Sequence, residues 1–146
     1  EGADAFDSVV IGCDSMLHID GRLQGKPHTV EVARERWATM AGRSGDLLTG
    51  HSVLRMQDGR VIASAAAVST TTVHFGTPTA ADLDAYLATG EPLHVAGGFT
   101  LDGLGAPFVE SIEGHPSTVV GLCLPLLRRL LTDLGTDWWS VAQSRA

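Results

Sequence analysis

Two stretches rich in β-favouring residues, joined by Asp58-Gly59, constrain the fold of this chain more than any other feature. They are residues 46–56 and 61–75, and the second is rich in β-branched residues at positions 68–73. β-Branched residues fit a pleated sheet, and Asp-Gly readily adopts the positive φ angles of a tight hairpin turn. The sequence therefore predicts a long antiparallel hairpin.

A second Asp-Gly pair, Asp20-Gly21, predicts a shorter hairpin between residues 16–19 and 22–24. Upstream, residues 8–12 contain three consecutive aliphatic residues, which predict a short buried strand. This strand would end in a glycine and place Asp14 at its carboxyl end. That is where α/β proteins tend to hold ligands.

Three segments have the apolar spacing and the end signals of helices. Residues 29–40 carry apolar side chains at helical spacing, Thr79 and Asp82 resemble a capping box, and residues 125–134 begin with a proline. A glycine follows shortly after each segment. The resulting order is strand, hairpin, helix, long hairpin, helix, strands and helix, which predicts a mixed α/β fold. The tail from Thr136 is predicted to be polar apart from two tryptophans.

The composition limits the classes of function. The 146 residues carry a formal charge of −7, whereas nonspecific nucleic-acid binding requires a basic face. No apolar run reaches the roughly 20 residues of a membrane-spanning helix, and the acidic residues 1–7 do not resemble a signal peptide. Cys13 and Cys123 are too few for a disulfide framework and lack metal-ligand spacing. We therefore expect a cytoplasmic protein that binds neither nucleic acid nor membranes.

Asp14 and Lys26 are the first candidates for a chemical role. Gly25 and Pro27 flank the lysine, in a rigid turn that can direct its ammonium group toward Asp14. A carboxylate can hold Mg²⁺ or accept a proton from a water that attacks phosphorus, and an ammonium group can contact phosphate oxygens. The alternatives are an aspartate that closes a strand in an Asx-turn and a solvated lysine in a surface turn.

Eight short segments, in order along residues 8–135, resemble the Maf family of nucleoside triphosphate pyrophosphatases. They are residues 12–15 (GCDS), 25–27 (GKP), 49–50 (TG), 96–99 (AGGF), 103–106 (GLGA), 108–109 (FV), 112–114 (IEG) and 119–126 (VVGLCLPL). The resemblance implies an elongated twisted sheet with long antiparallel hairpins and helical lobes flanking a cleft. It also implies an enzyme that uses a divalent metal, Mg²⁺ or alternatively Mn²⁺, to cleave a nucleoside triphosphate between its α and β phosphates. A homodimer is an open expectation.

The resemblance also assigns roles to four residues. It makes Asp14 the catalytic base close to the metal, and Lys26 a contact of the triphosphate. Ser15 and Asp102 stand where pyrimidine-preferring relatives usually carry Thr and Gln. Because an ionised aspartate only accepts hydrogen bonds, we expect Asp102 either to favour bases rich in N–H donors or to be protonated. The family often has Asp-Lys where this chain has His94-Val95, a second departure from the pyrimidine pattern.

Maf proteins also carry an early Ser-x-x-Arg-Arg loop whose arginines bind the phosphates, and residues 1–14 contain no such motif. We therefore expect residues 1–146 to form a single Maf-like pyrophosphatase domain that lacks the N-terminal phosphate-binding loop. The alternative function is a noncatalytic nucleotide-binding or regulatory protein linked to septum formation and cell division.

Several other residues allow two interpretations. The glycines of residues 97–105, the glycine-rich segment, either let backbone N–H groups approach a ligand or form tight turns. Thr49-Gly50 is either a substrate contact or a point of close packing. Both cysteines are predicted to be buried. The six histidines are scattered, without the spacing of a zinc site. The four glycines in question are Gly97, Gly98, Gly103 and Gly105.

Overall fold

A computed structural model describes residues 8–142 of the chain. Its strands are β1 (Ser8–Ile19), β2 (Arg22–Gln24), β3 (Ser44–Gln57), β4 (Arg60–Phe75) and β5 (Val109–Glu113). Its helices are α1 (Val30–Met40), α2 (Ala80–Ala88), α3 (Pro116–Val120), α4 (Leu124–Asp133) and α5 (Trp138–Ala142). The strands form one antiparallel sheet in the order β2-β1-β3-β4-β5. The predicted mixed α/β class with a substantial antiparallel sheet is therefore confirmed.

Both Asp-Gly pairs form hairpin turns, as predicted. Asp58 and Gly59 have φ angles of 52° and 77°, and Asp20 and Gly21 have φ angles of 58° and 73°. Aspartate tolerates this left-handed region better than most residues do, and glycine enters it at no steric cost. The turns set the register, so that β3 and β4 stay paired along almost their whole length.

The predicted end of the first strand is wrong. β1 continues from Ser8 to Ile19, and Asp14 lies in its middle, opposite Gly50 of β3. Glycine and aspartate are poor strand formers on their own, but β3 supplies a partner for every β1 residue up to His18, and such pairing overrides local propensity. Asp14 is therefore presented by the middle of a strand and not by its carboxyl end.

Two hydrophobic clusters cover one face of the sheet. Leu47 and Val53 of β3 are six positions apart, so they point to the same face, and each belongs to a different cluster. The first cluster packs α1 and α2 against one end of the sheet, and the second packs α4 against the other. These are the expected helical lobes. The first comprises Leu17, Ile19, Trp37, Met40, Leu47, Val73, Phe75, Tyr86 and Phe99, and the second Val53, Cys123, Leu126, Leu127, Leu130, Leu131 and Leu134.

Trp37 of α1 organises the first cluster. Its ring meets those of Phe75 and Tyr86 edge-on, with centroids 5.7 Å and 6.5 Å away. Its buried Nε1–H donates to the carbonyl oxygen of Gly98 at 2.8 Å, which satisfies the polar end of an otherwise apolar side chain. Helix α1 thereby fixes both the aromatic core and the glycine-rich segment that follows α2.

The opposite face of the sheet is left open by the described helices. Val10, Leu54 and Val68 lie on this face, and Val10 and Val68 are 49% and 62% exposed. The prediction that the aliphatic run of β1 is buried is thus wrong for Val10 and Ile11, which are exposed, whereas Val9 packs against the second cluster. The physical reason is that β2 pairs only with residues 17–19 of β1. Upstream of them, the outer edge of β1 has no strand partner within residues 8–142.

The three predicted helices are confirmed, with Thr29 capping α1 and a capping box between Thr79 and Asp82 opening α2. Helices α3 and α5 were not predicted, because five residues are too short to show helical periodicity. In the tail from Thr136, predicted to be polar apart from its two tryptophans, Trp138 and Val141 of α5 pack against the second cluster. No helix in the described part of the chain is both long and apolar enough to cross a membrane.

Candidate functional site

A cleft of about 460 Å³ opens at the outer edge of β1, beside the first hydrophobic cluster. Residues 13–16 of β1 all line it. Because successive strand residues point to opposite faces, a cavity that touches four in a row must lie at the edge of the strand. The segment after β2, the segment after α2 and the end of α3 form the other walls. The cleft brings together all four predicted site residues, Asp14, Ser15, Lys26 and Asp102.

Asp14 presents an exposed carboxylate to the cleft. Its Oδ1 accepts a hydrogen bond from the backbone N–H of Ser15 at 2.9 Å, which orients the group. Within the described residues, Asp14 forms no ion pair and no second hydrogen bond. The carboxylate can therefore accept a proton from water or coordinate a cation without first breaking a salt bridge.

The loop that carries Lys26 is held on both sides. The carbonyl oxygen of Gly25 accepts hydrogen bonds from the Arg36 guanidinium group of α1 at 2.6 Å and from a backbone N–H of the glycine-rich segment at 3.1 Å. Beyond Lys26, the backbone N–H of His28 donates to the carbonyl oxygen of Leu93 at 3.0 Å. The side chain of Lys26 itself is exposed. A fixed backbone thus presents a mobile ammonium group, which suits contact with phosphate oxygens.

Ser15 is half-buried and contacts a buried threonine. Its Oγ lies 2.7 Å from Thr49 Oγ1, which in turn lies 2.8 Å from the carbonyl oxygen of Thr118 in α3. Thr49 is fully buried. Of its two interpretations, the structure supports packing, because this side chain joins β1, β3 and α3 and does not itself line the cleft.

Glu91 anchors the loop that carries Asp102. Its carboxylate accepts hydrogen bonds from the Thr100 hydroxyl, from the Leu104 backbone N–H at 2.9 Å and from the Tyr86 hydroxyl at 3.3 Å. Burial alone would raise the pKa of the Glu91 carboxyl, but these hydrogen bonds to the ionised form outweigh it and lower the pKa. Asp102 lies exposed between the two loop anchors and lines the cleft.

The glycine-rich segment forms tight turns at the positions whose hydrogen bonds are defined. The backbone N–H groups of Gly97, Gly98 and Gly105 all donate to acceptors within the protein, so they are not directed at a ligand. Gly97 has a φ of 77°, and a Cβ there would lie only 3.0 Å from the Phe99 ring. A side chain at this position would disturb both the turn and the aromatic core.

The two cysteines differ in environment. Cys13 was predicted to be buried, but it is exposed and lines the cleft, because no strand within residues 8–142 pairs with the outer edge of β1 at this position. Desolvation raises the pKa of its thiol, which disfavours the nucleophilic thiolate. Cys123 is buried in the second cluster, as predicted. Its backbone N–H donates to His51 Nε2 at 2.9 Å, and His51 Nδ1 lies 3.0 Å from the Thr49 carbonyl oxygen, so this histidine is structural.

Sequence reasoning missed several groups that shape the cleft. Glu91 was not singled out and the role of Thr49 was left open, because both act through contacts with residues distant in the chain. His28 and His94 line the cleft beside Lys26, which is its only lysine or arginine within the described residues. The one available signal was the departure from the family pattern at His94.

The donors in the cleft are compatible with a hard divalent cation. Asp14 and Asp102 supply carboxylate oxygens, but no group of three or more His, Cys, Asp or Glu side chains that could hold a metal occurs in the part of the chain described. Mg²⁺ typically takes one or two carboxylates together with substrate phosphates and water. The residues therefore fit a metal that is bound jointly with a phosphorylated ligand.

The fold and the cleft define an α/β protein with a ligand-sized cleft of mixed polar and apolar lining at the edge of an antiparallel sheet. Residues 2–134 match the family model described as Maf-like protein, and this chain belongs to that family. Three similar proteins, all named nucleoside triphosphate pyrophosphatase, come from Nocardia farcinica, Rhodococcus opacus and Mycolicibacterium smegmatis. They are 67%, 67% and 58% identical over 90%, 88% and 93% of this chain. The matches cover 62%, 60% and 66% of those relatives' own lengths, so the chain spans less than two thirds of each.

Proposed function

We propose that this protein is a nucleoside triphosphate pyrophosphatase that cleaves its substrate between the α and β phosphates and releases a monophosphate and pyrophosphate. The observation that supports the proposal is the convergence of Asp14 and Lys26 on one cleft, whose volume is in the range of ligand pockets. The relatives in Nocardia and Rhodococcus carry the same activity in their names. The expected role is removal of noncanonical or surplus nucleotides from the cytoplasmic pool.

Hydrolysis of a phosphoric anhydride needs a nucleophilic water and neutralisation of the phosphate charge. Asp14 is the group in the cleft that is oriented and not held in an ion pair, so it accepts the proton of the attacking water. Lys26 follows the phosphate oxygens with its mobile ammonium group. Ser15 and Asp102 contact the remainder of the nucleotide and bear on base choice.

The proposed cofactor is Mg²⁺, with Mn²⁺ as the alternative. Asp14 would hold the cation together with the phosphates of the substrate. When bound, the metal supplies Lewis-acid stabilisation of charge on the phosphate oxygens.

The second candidate is a noncatalytic nucleotide-binding or regulatory protein linked to septum formation. One observation favours it. Lys26 is the only lysine or arginine that lines the cleft within the described residues, whereas a triphosphate carries several negative charges. Binding without turnover would fit such a sparse set of cations.

Substitution Asp14→Asn separates the two candidates. Asparagine keeps the size of the side chain but cannot serve as a base. We expect pyrophosphate release in the presence of Mg²⁺ to fall on the order of 10²–10⁴-fold, with the denaturant midpoint unchanged. Asp133→Asn, at the end of α4 and outside the cleft, is the matched control. Near-wild-type turnover by Asp14→Asn would refute the assigned base, and triphosphate binding without any pyrophosphate release by the wild type would favour the second candidate.

A further inference from the structure

The hydrogen bonds around Thr49 determine where the hydroxyl proton of Ser15 points. A hydroxyl group has one proton to donate, and a carbonyl oxygen can only accept. Thr49 Oγ1 lies 2.8 Å from the Thr118 carbonyl oxygen, so Thr49 is the donor in that bond. Its proton is then used, and the 2.7 Å contact between Ser15 and Thr49 requires Ser15 to donate.

The acceptor at the end of this series is held in place. Thr118 is fully buried, and its own hydroxyl lies 2.7 Å from Ser69 Oγ of β4. The neighbouring turn of α3 is also attached to β4, because Thr71 Oγ1 donates to the His115 carbonyl oxygen at 2.9 Å. The Thr118 carbonyl oxygen therefore keeps its position, and the proton of Thr49 stays directed toward it.

Ser15 lines the cleft, so the direction of its hydroxyl proton determines what it offers to a ligand. With its proton turned inward to Thr49, Ser15 Oγ offers only lone pairs to a ligand. Asp102 is the other residue assigned to base choice, and its carboxylate, when ionised, can also only accept hydrogen bonds. A ligand carbonyl placed against either group would bring two acceptors together and leave both unpaired.

We propose that Thr49 is a positioning residue that makes Ser15 an obligate hydrogen-bond acceptor, so that the cleft selects nucleotides that place a donor on Ser15. The inference rests on the proposed function in one respect, that the ligand is a nucleotide. The donor is an N–H or amino group of the base or a hydroxyl of the sugar. Both sources share the same chemistry at Ser15, and paired ligands distinguish them.

The test measures the affinities of the purified protein for nonhydrolysable α,β-methylene triphosphates by calorimetry. The pairs are cytidine against uridine, guanosine against inosine, and a ribonucleotide against its 2′-deoxy form. The first two change a donor on the base, and the third removes a donor from the sugar. We expect the wild type to prefer the donor-bearing member of at least one pair on the order of tenfold, because the other member leaves a polar group unpaired.

The variants test the role of Thr49 directly. Thr49→Val keeps the shape but removes the hydroxyl, so the proton of Ser15 becomes free to face the ligand and the preference should shrink toward one. Thr49→Ser restores the hydroxyl and should restore the preference. The matched control is Thr72→Val, which removes a threonine hydroxyl that donates to Asp46 outside the cleft and should keep the preference. A purely structural role of Thr49 would lower all affinities alike.

Three results would overturn the inference. They are a wild type without preference in any pair, a preference that Thr49→Val leaves intact, and a preference that survives Ser15→Ala. The last variant keeps the buried bond between Thr49 and Thr118, so it decides the matter even if Thr49→Val does not fold. Pyrophosphate release by the wild type is measured separately. Turnover without any donor preference would contradict this inference alone. A donor preference without turnover would contradict the proposed activity and support the inference.

Discussion

At the scale of single residues, two carboxylates and one ammonium group dominate the charge of the cleft. Asp14 and Asp102 together carry two negative charges, and Lys26 carries one positive charge. These three groups give the lining an excess of negative charge before any metal binds. Binding of a polyanion therefore depends strongly on Lys26, and recognition of the base depends on groups that accept hydrogen bonds.

Replacing Lys26 with alanine should weaken binding of a triphosphate more than binding of a monophosphate. The reason is that the lost contact is to the phosphate tail, and a surface-exposed charge acts mainly on the nearest charges. Calorimetry with a nonhydrolysable triphosphate and with the monophosphate product measures both losses. Arg129→Ala, on the exposed side of α4, is the control and should change neither. Equal losses for the two ligands would place Lys26 away from the phosphates.

Replacing Asp102 with glutamine should move the substrate profile toward thymidine triphosphate. Glutamine can donate to the O4 oxygen of thymine or uracil, whereas an ionised aspartate cannot, and a mismatch leaves a polar group unpaired at roughly 1–3 kcal/mol. The wild type should favour bases with N–H or amino groups, such as guanine, cytosine or a cationic methylated guanine. Turnover of a triphosphate panel by both proteins measures the shift. A wild type that already prefers thymidine triphosphate, with no change on substitution, would show that Asp102 does not read the base.

At the scale of elements, the cleft is assembled from loops that more rigid parts of the protein hold in place. Helix α1 holds the loop of Lys26 through Arg36, and Glu91 holds the loop of Asp102. Both anchors are hydrogen bonds to loop backbone, so they fix position without offering side chains to the ligand. The order of the cleft walls therefore depends on groups outside the cleft.

The anchoring of the Asp102 loop by Glu91 should weaken at low pH, where the carboxylate becomes protonated. Its pKa is lower in the folded protein than its ordinary value of 4.5, so its stabilisation is fully present above that value and is lost as the pH falls through the folded-state pKa. Glu91→Gln should lower the urea midpoint at pH 7, because one amide oxygen replaces two carboxylate oxygens. The difference from the wild type should shrink as the pH is lowered below 4.5. The control is Glu35→Gln on the exposed side of α1, and a pH-independent difference at Glu91 would contradict the assignment.

The sequence predicted local features well and nonlocal ones poorly, for a physical reason. The hairpins depend on Asp-Gly dipeptides and the three longer helices on capping and spacing, all of which act within a few residues. The extent of β1, the exposure of Cys13 and the anchoring by Thr49 depend on pairing and packing with residues far away in the chain. Asp14 and Lys26 were candidates on their local pattern, and Ser15 and Asp102 were chosen from the family resemblance. The structure adds that one cleft contains all four.

At the scale of the whole molecule, helices cover one face of the sheet and leave the other open. Val10 and Val68 expose aliphatic side chains on the open face. Apolar area of this kind on a sheet favours association and the binding of hydrophobic dyes. We therefore expect residues 1–146 to bind such a dye.

The double substitution Val10→Thr and Val68→Thr tests the source of dye binding. Threonine is β-branched and retains strand propensity, so the fold should persist while dye fluorescence and light scattering fall. The control is Leu104→Thr, which alters a leucine that is 60% exposed in a loop outside the sheet. Dye binding that is unchanged in the double variant would show that this face does not attract the dye.

The β3–β4 hairpin also bears on the order in which the chain folds. Its pairing grows outward from one turn, so each new contact closes only a slightly longer loop than the last. By contrast, β1 must find β3 across the intervening helix α1, and β5 must return to β4 across α2 and the glycine-rich segment. Contacts between distant segments carry a larger entropic cost and form later. The hairpin is therefore the natural nucleus, and the walls of the cleft, which come from the segments added afterwards, are among the last parts of the molecule to take shape.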